Sequence, residues 1–125
     1  MIRVVLFIGA GSFIGGVLRF LLSRFVQNTE VGIFPYGTMA VNLAGCLLIG
    51  IFLALSDRGQ LLSAEWRLFL TVGLCGGFTT FSTFIADGLL LLKNGNIAPF
   101  IIYIGMSVLL GLLATWAGYA AVKAF

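Results

Sequence analysis

The feature that most limits what this chain can become is a series of four apolar stretches, joined by short polar connections. A hydrocarbon layer about 30 Å thick is crossed by about 20 helical residues. The stretches run roughly from 4 to 23, 37 to 56, 67 to 92 and 98 to 122, each of spanning length. A membrane barrel would show alternating segments of about ten residues instead of continuous runs. The expected fold class is therefore an all-α membrane protein with four transmembrane helices, one domain across residues 1–125. Composition excludes an ordinary soluble domain, with 61% of residues hydrophobic, 9% charged and a mean hydropathy of +1.17.

The first stretch opens with one Arg and contains Ala10-Gly11-Ser12, as a cleaved leader might, but its apolar pattern continues through Leu22. It is expected to be part of the mature protein. Polar punctuation falls at Gln27-Asn28-Thr29-Glu30, Ser56-Asp57-Arg58-Gly59-Gln60 and Lys93-Asn94-Gly95-Asn96. Pro35 and Pro99 stand at or just before helix starts, where a missing N–H costs little. Cys46 and Cys75 both fall inside apolar segments and read as small buried residues, not as a disulfide framework.

Four spans place both termini on one side, with Arg3, Arg58, Arg67 and Lys123, against Arg24 and Lys93 on the other, joined by Arg19 if it snorkels that way. So weak a bias permits insertion in either orientation, and two opposed copies could pair as an antiparallel dimer; a single orientation is the other reading. Small residues repeat at helical spacing in Gly11-x-x-x-Gly15, Ser12-x-x-x-Gly16, Ala40-x-x-x-Ala44 and Ser107-x-x-x-Gly111-x-x-x-Thr115. They favour a closely packed helical body.

The polar groups left at membrane depth are few: Asn42, Thr79, Thr80, Ser82, Thr83, Tyr103, Ser107, Thr115 and one carboxylate, Asp87. The sequence has no histidine, no nucleophile and base pair and no cluster of metal ligands, so an enzyme is not expected. Asn42 reads either as an interhelical hydrogen-bonding residue or as an amide lining a polar path. Asp87 is expected to face the protein interior or a wet cavity. Arg19 reads as a snorkelling anchor or as a source of positive potential in a vestibule.

Most informative is Cys75-Gly76-Gly77-Phe78-Thr79-Thr80-Phe81-Ser82-Thr83-Phe84 in the third stretch. Glycine lowers helix stability by about 1 kcal/mol relative to alanine, and threonine competes for the backbone. A break is expected over Gly76 to Thr80, and such a break survives at membrane depth only in protein or against a wet cavity. Freed carbonyls there can bind a cation, and the amides that begin the second half-helix favour an anion. Phe81 and Phe84 share a face beside Ser82 and Thr83. Such a pair usually packs, but ring edges next to hydroxyls can also attract a small anion while the site stays uncharged.

The string Gly73-x-x-Gly76-Gly77-Phe78-Thr79-Thr80-Phe81-Ser82-Thr83-Phe84, with Gly37-Thr38-x-x-Val41-Asn42-x-x-Gly45 and Gly15-Gly16-x-x-Arg19-Phe20, closely resembles the Fluc (CrcB) family of small bacterial fluoride channels. The resemblance covers the first three spans in order, and the fourth agrees in length and in carrying Tyr103. It implies a dual-topology, antiparallel homodimer in the bacterial inner membrane, with two pathways that export fluoride passively. Phe81 and Phe84 then resemble the ring-edge pair and Asn42 the pore amide, while Ser82, Thr83 and Tyr103 resemble a polar track. Main-chain carbonyls of Gly76 and Thr79 would hold a structural sodium ion (Na+) at the dimer centre, and Arg19 matches a vestibule arginine. Family members often carry glutamate at the position of Asp87.

Two other readings remain. A proton-coupled exporter of the small multidrug type also uses four helices and antiparallel pairs, but it relies on a first-helix glutamate that this chain lacks. A non-transporting assembly subunit would use its glycine faces only for packing and would leave the helix-break cluster without a purpose.

Overall fold

The computed structural model describes residues 1–29, 34–58 and 62–125. Its described residues contain four helical spans of membrane-crossing length and hydropathy: Ile2–Gln27, Tyr36–Asp57, Ala64–Lys93 and Ile97–Lys123. The first is α1 (Ile2–Thr29) and the second α2 (Tyr36–Asp57). The third is assembled from α3 (Ala64–Leu68), a π-helical segment (Phe69–Cys75), α4 (Gly76–Phe78) and α5 (Phe81–Lys93). The fourth is α6 (Ile97–Lys123). Glu30 and the Gly59-Gln60 pair of the expected connections lie outside the described residues.

Helix ends follow local chemistry. Pro35 precedes α2, and Pro99 occupies the first turn of α6, where N–H groups have no helical acceptor. The Ser63 hydroxyl accepts from Trp66 N–H at 3.3 Å and caps α3. α1 runs further than the polar residues Gln27 to Thr29 led one to expect, and the extension has a use. The Gln27 side-chain oxygen accepts the Gly37 N–H at 3.0 Å, satisfying a donor in the first turn of α2.

Packing divides the body into two pairs. α2 lies along α6, α1 lies along the first half of the third span, and contacts between α1 and α2 join the pairs. Both pairings depend on glycine. Between α2 and α6 the backbones meet at Gly50 against Thr115 and at Gly118 against Leu47, and Thr115 Oγ1 donates to the Cys46 carbonyl at 3.0 Å. Between α1 and the third span, a Cβ on Gly73 would stand 2.8 Å from the Ile8 carbonyl oxygen, and one on Gly77 2.6 Å from that of Ser12. Gly11 and Gly15 face the same seam, whereas Gly16 faces open space.

The second half of the third span leaves α1 and packs on α6 instead. There Phe84, Leu91 and Tyr103 form the buried cluster, flanked by Phe34, Met39, Phe100 and Ile104. Elsewhere the large side chains of α1, α5 and α6 point outward, as a lipid-solvated surface requires. At one end Asp57 holds α2 to α6 by accepting from the Tyr119 hydroxyl and pairing with Lys123 at 3.7 Å, while Arg58 donates to the Val122 carbonyl at 2.6 Å.

Close glycine packing makes a definite prediction. Gly77→Val should drive its branched side chain into the α1 backbone and lower stability by about 3 kcal/mol, seen as a reduced thermal midpoint in detergent. Gly16→Ala, at a position with nothing within 4 Å, should not lower the midpoint and should raise it slightly through helix propensity.

Candidate functional site at the helix break

The break lies later than the glycines suggest. Gly76 is helical, with φ −62° and ψ −39°, and α4 continues through Phe78. Thr79 (φ −91°, ψ 158°) and Thr80 (φ −149°, ψ 123°) are the extended residues. The expected break over Gly76 to Thr80 is thus corrected to two threonines. Gly77 is kept small by the α1 backbone beside it, and β-branched threonine accepts extended φ and ψ readily.

Side chains replace the helical hydrogen bonds that the break removes. Thr80 N–H donates to Asn42 Oδ1 at 2.9 Å, and Asn42 Nδ2 donates to the Thr80 carbonyl at 3.1 Å. The asparagine thereby pairs with Thr80 as a neighbouring β-strand would. Both the N–H and Oγ1 of Thr79 donate to the Cys75 carbonyl, at 2.9 and 2.8 Å. Arg19 Nε donates to the Gly77 carbonyl at 3.1 Å. Thr80 then caps α5, its Oγ1 accepting from Thr83 N–H at 3.2 Å.

The same exchange changes the surroundings of the Gly76 and Thr79 carbonyls. In a continuous helix Thr80 N–H would bond Gly76 and Thr83 N–H would bond Thr79. Here those donors go to Asn42 and to Thr80 Oγ1, so the Gly76 and Thr79 carbonyls lose their helical partners.

The break opens on a cavity of about 420 Å³ whose wall includes Asn42, Gly76, Thr79, Thr80, Phe81 and Phe84. No carboxylate is among its lining residues. Phe81 is 75% exposed and Phe84 only 8%, their ring centroids 6.1 Å apart at 48°. Phe84 turns inward, 5.1 Å from the Tyr103 ring. The Tyr103 hydroxyl is fully enclosed, makes no hydrogen bond among the described residues, and has Asp87 and Thr38 as polar neighbours.

Of the residues singled out from the sequence, Asn42, Phe81, Phe84, Gly76 and Thr79 are brought together on this cavity. Ser82 and Thr83 lie beside it in the first turn of α5, and Tyr103 stands behind Phe84. Arg19 is half-buried and its Nε reaches inward to the Gly77 carbonyl of α4, a contact that neither the anchor nor the vestibule reading included. Sequence reasoning assigned no site role to Thr80 or to Ser107, which lies on the cavity wall with a buried hydroxyl that has no hydrogen-bond partner among the described residues. For Thr80 the signal was its type and place, a threonine directly before the helix that starts at Phe81; Ser107 was visible only as a polar group at membrane depth.

A family model described as "CrcB-like protein, Camphor Resistance (CrcB)" matches residues 6–119, which include every element of this site. The chain belongs to the CrcB family. Among relatives named "Fluoride-specific ion channel FluC", that of Bacteroides fragilis is 51% identical over 118 residues, 92% of this chain and 91% of its own. That of Flavobacterium psychrophilum is 41% identical over 97% of this chain and 98% of its own. That of Azobacteroides pseudotrichonymphae is 36% identical over the full length of both. CrcB membership and the four spans make this a multi-pass membrane protein of a non-catalytic family.

The two bonds between Asn42 and Thr80 should be the ones that CrcB packing can least spare. Asn42→Ala leaves the part-buried Thr80 N–H and C=O without their side-chain partners, at about 1 kcal/mol each. We expect a thermal midpoint lowered accordingly and faster amide exchange at Thr80, measured by hydrogen–deuterium exchange in detergent or nanodiscs.

Proposed function

We propose that this chain is a fluoride channel that carries the anion passively across the bacterial inner membrane. The observation that carries the reading is the uncharged cavity at the helix break, lined by an amide, hydroxyls and an open phenyl ring in a CrcB-family chain. Fluoride is small and strongly hydrated, so a selective path must supply donors in place of water, and no charged side chain lines this cavity to trap the ion. Asn42, with one Nδ2 hydrogen beyond the bond to Thr80, supplies an amide donor. Ser82 and Thr83 supply hydroxyls, as does Tyr103 behind Phe84, while Phe81 and Phe84 supply ring edges.

The working form in this reading is an antiparallel homodimer with two pathways, its subunits inserted in opposite orientations. Phe81 supports it, because a ring 75% exposed at the mouth of a cavity leaves one side for a second copy to enclose. The Gly76 and Thr79 carbonyls, deprived of helical donors, suit a hard cation that prefers oxygen ligands. Sodium bound there would neutralise the carbonyl ends and lock the two broken spans together.

Fluoride efflux from liposomes containing purified protein tests the whole reading, with chloride as control. Fluoride-selective flux independent of a proton gradient is the expected result, and its absence would sink the proposal. Phe81→Ile should reduce flux about tenfold, the equivalent of one ring-edge contact of ~1.4 kcal/mol, and leave the dimer intact. Unchanged flux would return Phe81 to packing. Exhaustive replacement of sodium by a large organic cation should abolish flux and lower the thermal midpoint, and the requirement should persist in the Phe81→Ile protein; insensitivity would remove the sodium assignment.

A further inference from the structure

We infer that Arg19 is a positioning residue, acting on the pathway through the Gly77 carbonyl and not through attraction of the anion. Gly11, Gly15 and Arg19 stand four residues apart and form one stripe on α1. The two glycines bring the α1 backbone against Phe69, Gly73, Leu74 and Phe78. One turn further on, the same stripe delivers Arg19 Nε to the Gly77 carbonyl at 3.1 Å. That carbonyl would bond Phe81 N–H in a continuous helix, and the extended Thr79 and Thr80 carry Phe81 away. Arg19 therefore closes the carbonyl end of the first half-helix with a charged donor, where the helix dipole is negative. Among the described residues no carboxylate pairs with Arg19, the one ion pair there being Lys123 with Asp57. With Gly77 held from α1 and Thr80 held from α2, the two sides of the break are fixed by different helices.

Two substitutions separate this role from electrostatic attraction. In Arg19→Gln the amide nitrogen stands at the position of Nε, so the donor is kept and the charge removed. In Arg19→Lys the charge is kept, but a methylene replaces Nε. Positioning predicts that the glutamine variant keeps fluoride flux within about twofold, whereas the lysine variant loses about tenfold, the equilibrium worth of one charged hydrogen bond. Attraction predicts the reverse, with a loss that varies with ionic strength.

The flux arm rests on the channel reading, so a second arm is independent of it. Thr79 and Thr80 N–H are bonded to the Cys75 carbonyl and to Asn42, and their hydrogen exchange reports on the break. Exchange should quicken about tenfold in Arg19→Lys and stay at the parent rate in Arg19→Gln. Flux retained by lysine but lost by glutamine would overturn the inference, as would parent-like exchange in both variants or loss in both. Should the lysine variant fail to fold, the glutamine variant decides alone: parent-like exchange supports the inference and tenfold faster exchange overturns it. Absence of fluoride flux in the parent protein would sink the channel reading and leave the exchange result standing.

Discussion

The pair of hydrogen bonds between the Asn42 side chain and the Thr80 backbone is the contact on which the rest of the structure depends. A helix interrupted at membrane depth exposes N–H and C=O groups that lipid cannot satisfy. Asparagine can answer both at once, because its amide carries an acceptor and a donor at the spacing of a peptide group. That pairing lets the chain stay extended for two residues, and everything distinctive about the site follows from those two residues.

Extension at Thr79 and Thr80 changes the neighbour against which the third span packs. Before the break the span lies on α1, at backbone contact through Gly73 and Gly77; after it the span lies on α6, through Phe84, Leu91 and Tyr103. A straight helix could follow only one of these. The change of partner opens the cavity between α2, α6 and the two halves of the span, and it turns Phe81 outward while Phe84 turns inward. Packing and site are thus consequences of one local geometry. CrcB membership supplies the context in which an uncharged, donor-lined cavity reads as an anion path.

Much of this was legible in advance, for identifiable reasons. Helix number and extent follow from hydropathy because a bilayer admits few alternatives to long apolar helices. The pairing of Phe81 with Phe84 was legible because helical spacing is local. The break expected over Gly76 to Thr80 narrows to its threonine end, because Gly76 and Gly77 are helical and Gly77 is small so that α1 can approach. For Arg19 the sequence left an anchor and a vestibule charge open, and its acceptor on another helix was beyond any local pattern.

By itself, then, the sequence determined that the chain crosses a membrane four times and that its third span cannot be a plain helix, because composition and propensity act on each residue where it stands. Only the tertiary structure decided where that span breaks, which half follows which neighbour, and which carbonyls lose their partners. Those outcomes depend on Asn42 meeting Thr80 and Arg19 meeting Gly77 across 38 and 58 residues of chain, and no local preference encodes a hydrogen bond between distant segments.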